Sequence, residues 1–151
     1  MSLMKNIEKI LRGFLIFGAG YFMFDALLHL SNIKLLSAEG IWPASALSYA
    51  RLLNYIYASF VILASLVAIV IQKDLKKYKT IVIISGIWAL FHGIVLLYLV
   101  WSENLGEIFK NLPSLRIWLP FYGQYLMFNA ILLFIFSAVT YLWVKGNNGK
   151  Y

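Results

Sequence analysis

The chain reads as an all-α polytopic membrane protein: four transmembrane helices in an antiparallel bundle, with short interfacial segments in its two outer loops. Three observations predict this. Apolar residues make up 62% of the 151 positions and charged residues only 13%, where soluble domains hold about half and about a quarter. Mean hydropathy is +0.81, and the apolar residues gather into four stretches of the roughly 20 residues that cross a ~30 Å hydrocarbon core. The basic residues, finally, alternate between the connections. A length of 151 residues with no Pro/Gly-rich linker or internal repeat makes residues 1–151 one transmembrane domain.

The first span covers about residues 11–30, RGFLIFGAGYFMFDALLHL and its flanks. A basic segment precedes it, but no small-x-small cleavage site follows, so it is read as a retained span rather than a signal peptide. The second covers about 46–71, with Pro43 well placed for the first turn of the helix leading into it. The connection QKDLKKYK is short and makes spans two and three a tight antiparallel pair. The third covers about 80–101 and the fourth about 120–144. Both outer connections mix Leu, Ile and Trp with charges, which suits segments lying along the membrane surface. Trp42, Tyr49, Trp101 and Trp118 mark the outer interface; Tyr78, Tyr141 and Trp143 mark the inner one.

Charge placement gives a topology. Lys5, Lys9 and Arg12, then Lys73, Lys76, Lys77 and Lys79, then Lys145 and Lys150 all fall on one side of a four-span chain. The other side carries Lys34, Arg51, Lys110 and Arg116 against Glu39, Glu103 and Glu107. The positive-inside rule then puts both termini in the cytoplasm. The net charge of +7 is a topology signal and an attraction to anionic lipid, not a nucleic-acid footprint. The absence of Cys excludes disulfides, thiol redox chemistry and Cys-ligated metal centres.

Polar residues inside such spans are costly and are hypotheses about function by default. Helical spacing puts Gly18, Tyr21, Asp25, His29 and Asn32 on one face of span one, and Arg51, Asn54, Tyr55, Ala58, Ile62 and Ser65 on one face of span two. Ser85, Trp88, Ala89, His92 and Gly93 share a face of span three; Tyr122, Tyr125, Asn129, Ser137 and Thr140 share one of span four, with Gln124 off it. Lipid offers these stripes no partner, so they should face one another. At 1.5 Å per residue from the basic side, Asp25 lies about 20 Å deep, His92 about 18 Å and Asn129 about 24 Å. His29 and Asn54 fall near 26–27 Å, and Arg51 and Gln124 near 31 Å. The polar zone therefore belongs to the outer half, and a cavity opening outward is its simplest consequence.

Asp25, His29, Arg51, Asn54, His92 and Asn129 are the candidate site residues. Against a working site stands the plainer reading, in which Asp25 pairs with Arg51 or bonds Asn54 and His92, since a buried charge needs a partner whether or not it has a task. His29 is equally read as an interfacial residue and Arg51 as one reaching the headgroups. Asp25 and His29 at i, i+4 could chelate an ion with His92 as third ligand, but no further carboxylate stands behind them, and no metal site is assigned. A haem held by His29 and His92 is disfavoured by a depth difference of about 7 Å, because axial ligands sit at one level. The cofactor is left open. Ser85, Ala89 and Gly93 form a small-residue run suited to close helix contact, either within the chain or with another subunit.

Three functions follow in order. The first is a non-catalytic subunit of a larger membrane complex for respiration, transport or biogenesis, with lipid and other membrane subunits as partners and no nucleic acid. The second is an enzyme or binding protein for a lipophilic molecule such as a quinone or isoprenoid, with Asp25 as acid or base. The third is proton or ion passage. Whether the chain is an enzyme is left open. A working site predicts that Asp25→Asn impairs function more than His29→Ala.

Overall fold

The computed structural model describes residues 3–33, 35, 39–40, 42–102 and 119–147. These form four helices: α1 (Leu3–Leu30), α2 (Ala44–Ile71), α3 (Lys79–Trp101) and α4 (Leu119–Asn147). No strand occurs among the described residues. Each helix is long and apolar enough to cross a membrane. The all-α, four-span fold class is therefore the one the sequence predicts, consistent with a four-helix membrane bundle. The expected surface segment between spans three and four, with Glu103, Glu107, Lys110, Arg116 and Trp118, lies outside the described residues, as does Lys34.

Local chemistry sets the helix ends. α1 starts eight residues before its expected span, because Lys5, Glu8, Lys9 and Arg12 continue the helix beyond the apolar stretch. Glu8 and Arg12 pair across one turn at 2.7 Å, the i, i+4 order that supports a helix. The helix stops where Asn32 takes a left-handed φ of 53°, the conformation that closes many helix C-termini and that Asn tolerates. α2 begins behind Pro43, whose φ of −57° is already helix-like; its carbonyl accepts the first helical bond, from Leu47 N–H at 3.1 Å. Between α2 and α3, the Asp74 carboxylate accepts Lys77 N–H at 3.0 Å, a local turn bond. Leu75 is fully buried beneath that turn.

The chain divides into two compact units, Leu15–Lys73 and Met1–Phe14 with Asp74–Tyr151. In the first, the later part of α1 pairs with α2. Ser65 Oγ donates to the Ala19 carbonyl at 2.8 Å, Tyr57 reaches Asp25 and Asn54 reaches Asn32, so residue numbers rise on one helix as they fall on the other. The pair is antiparallel, around a core of Ala26, Ala58 and Val61 with Phe22 and Ile62.

In the second unit α3 and α4 run antiparallel through small residues. A Cβ on Gly86 would meet Thr140 Cγ2 at 2.7 Å, and one on Gly93 would meet the Phe134 ring at 3.0 Å. Val82, Gly86, Ala89, Gly93 and Leu96 make the buried face of α3. Lipid tails are as apolar as Leu, so this contact is held by close van der Waals packing rather than by hydrophobic burial. Toward the C-terminal end of α3, Leu96, Leu126 and Ala130 form a core cluster.

Candidate functional site

The polar centre of the Leu15–Lys73 unit is Asp25, which is 8% exposed. Its Oδ2 accepts the Tyr57 hydroxyl at 3.0 Å. One turn on, His29 turns back: its Nδ1–H donates to the Asp25 carbonyl oxygen at 2.8 Å and stands 3.5 Å from Asp25 Oδ1. A carbonyl only accepts, so this bond requires the proton on Nδ1. The His29 and Tyr57 rings pack 4.4 Å apart at 51°, an edge-on approach suited to aromatic quadrupoles. Asp25, His29 and Tyr57 thus form one cluster, and the burial of Asp25 makes its satisfaction matter, because an unpaired carboxylate in an apolar medium costs on the order of several kcal/mol.

A second polar layer lies one to two turns nearer the connection between α1 and α2. Asn32 Nδ2 donates to the Tyr55 hydroxyl at 3.0 Å, and Asn54 Nδ2 donates to Asn32 Oδ1 at 2.9 Å. Beyond it, Arg51 pairs with Glu39 at 2.8 Å, with both side chains nearly half exposed. The expected alternatives for Asp25 are therefore replaced: Arg51 goes to a loop carboxylate at its own depth, and Asn54 to Asn32. Arg51 sits six residues N-terminal to Tyr57, about 9 Å along α2, which puts Glu39 rather than Asp25 within its reach.

His92 and Asn129 lie in the other unit. His92 stacks on Trp88 along α3, with ring centroids 4.9 Å apart and planes 10° apart. Asn129 Nδ2 donates to the Tyr125 carbonyl on its own helix at 2.7 Å, and Gln124 is exposed. Ala89 and Gly93 of the small-residue run are buried on the α4-facing side of α3, with Gly86 taking the place expected of Ser85. Among the described residues, the buried Thr140 Oγ1 and Trp143 Nε1 of this unit have no hydrogen-bond partner. Among the described residues, no group of three His, Asp or Glu comes together to hold a metal ion.

Tyr57 is the residue that sequence reasoning missed. The expected polar stripe of α2, Arg51, Asn54, Tyr55, Ala58, Ile62 and Ser65, shares Ala58 and Ser65 with the buried face, whereas Tyr57 lies off that stripe and is 46% exposed. Depth would have found it: counted inward from the basic end of its span, Tyr57 lies about 21 Å deep, level with Asp25.

The fold and this cluster define a class: a small integral membrane protein of four spans with a polar cluster inside one helix pair. No protein-family model, curated protein or solved structure matches the chain.

Proposed function

We propose that this chain is a non-catalytic subunit of a larger membrane complex, using its polar residues to fasten helices rather than to transform a ligand. One observation carries the reading: the intramembrane polar groups of α1 and α2 bond one another. Asp25 takes Tyr57 and His29, and Asn32 takes Asn54 and Tyr55. Hydrogen bonds of this kind between helices help to specify which helix faces meet. Large apolar side chains such as Phe17, Phe24, Phe60, Ile87 and Phe91 are more than half exposed, which leaves broad lateral surface for lipid and neighbouring subunits. The basic connections support an orientation with both termini in the cytoplasm.

Purification of the full chain in mild detergent tests this reading. The expected result is a complex holding other membrane subunits at fixed stoichiometry, which assembles equally well with Asp25→Asn. A lone chain carrying a tightly bound chromophore or isoprenoid would overturn it and favour the second reading, a site for a lipophilic ligand. One feature supports that alternative: Tyr57 is 46% exposed, so a molecule dissolved in the lipid can approach the hydroxyl held by Asp25.

A further inference from the structure

A groove runs between α1 and α2 in the Leu15–Lys73 unit, with a volume of about 490 Å³. Ile16, Gly20 and Met23 line it from α1, and Ile69 and Gln72 from α2. It exists because small residues bring the helices together at its floor. Ser65 donates its hydroxyl to the Ala19 carbonyl, which satisfies the one buried side-chain polar group there. Gly20 leaves the space above open: a Cβ added to it would meet nothing within 4 Å. The walls are almost wholly apolar.

The ends differ. Toward Met23 the groove runs deeper into the span. Toward Gln72 it reaches the end of α2, where Lys73 follows directly in a connection that also holds Lys76, Lys77 and Lys79. An apolar slot that ends at Gln72, with Lys73 next in the chain, complements a molecule with a hydrocarbon tail and an anionic head. From Ile16 to Met23 the slot is about 10 Å long, enough for part of one acyl chain. Basic positions at the ends of helix pairs are where anionic headgroups bind, and a Lys stem lies along apolar surface while its ammonium reaches the phosphate.

We infer that this groove holds one acyl chain of an anionic phospholipid, with the headgroup at Gln72 and Lys73. The inference is independent of the subunit reading, since it concerns a bound lipid and not a protein partner. The full chain, purified in mild detergent, is equilibrated with equal amounts of phosphatidylglycerol and phosphatidylcholine and examined by native mass spectrometry. The expected result is a single phosphatidylglycerol adduct well in excess of phosphatidylcholine. Gly20→Leu fills the slot and removes the adduct. Ile69→Trp closes it from the opposite lip, on α2, and does the same, which decides the matter if Gly20→Leu fails to fold. Lys73→Gln keeps the adduct but lowers the preference for the anionic lipid about fivefold, the equivalent of ~1 kcal/mol per interfacial Lys. Equal retention of the two lipids by the unmodified chain would overturn the inference. So would an adduct that persists in both groove-filling variants, an unchanged preference in Lys73→Gln, or a second copy of the chain bound in place of lipid.

Discussion

At the scale of single residues, Asp25 separates a fastening from a working site. Its Oδ2 is an acceptor for Tyr57, and His29 Nδ1 lies closer to the Asp25 backbone carbonyl, at 2.8 Å, than to the carboxylate Oδ1, at 3.5 Å. Asn offers the same acceptor without the charge. As a fastening, the cluster predicts that Asp25→Asn alters stability little, whereas Tyr57→Phe lowers it by about 0.6 kcal/mol and at most ~1.7, the range of interhelical hydrogen bonds in membranes. Unfolding in mixed micelles measures both. If Asp25→Asn instead abolishes a cellular function while the fold is intact, the carboxylate has a chemical role. Thr140 supplies a second residue-scale outcome. Its hydroxyl is buried without a partner, so Thr140→Val removes an unsatisfied group, and the thermal midpoint in detergent should hold or rise. A clear drop would show that the hydroxyl is bonded.

At the scale of helices, glycines with one chemistry have opposite roles. Gly86 and Gly93 let α3 approach α4, with Thr140 and Phe134 occupying the space a Cβ would need. Gly18 lies on α1 with nothing within 4 Å of an added Cβ. Gly86→Ala should therefore destabilise the pair by about 1–3 kcal/mol through overpacking. Gly18→Ala should stabilise by about 0.5–1 kcal/mol, because Ala loses less conformational freedom in a helix. The same unfolding measurement reads both, and changes of the same sign in the two variants would contradict this account of the α3–α4 contact. Helix existence was legible from apolar run length and the start of α2 from Pro43, whereas the basic segment before span one hid the true start of α1, which runs through it. The contact faces were legible less well: Ser85, Ala89 and Gly93 name the right side of α3, but Gly86, one position on, makes the closest approach. A helix turns 100° per residue, so a one-residue error moves a contact by more than a quarter turn.

At the scale of the whole molecule, topology is the prediction that charge alone supports. The chain contains no cysteine, so single cysteines can be placed on a clean background. With Asn6→Cys and Ser45→Cys, both exposed positions, an impermeant thiol reagent applied outside intact cells should label Ser45→Cys and spare Asn6→Cys. The reverse pattern would refute the orientation read from the lysines.

Composition, span length and charge distribution determined that this is a four-helix membrane protein, because burying or solvating so many apolar side chains admits few other solutions. They also located Asp25, His29 and Asn54 in a common polar zone, since lipid forces such groups toward another helix. Only the tertiary structure decided the partners. Tyr57 rather than Arg51 meets Asp25, and Asn32 meets Asn54, while His29 turns back on its own helix. The reason is rotational: periodicity fixes which residues share a face, but the angle at which two faces meet is set by the packing of Ala19, Ala26, Ala58 and Ser65 between them.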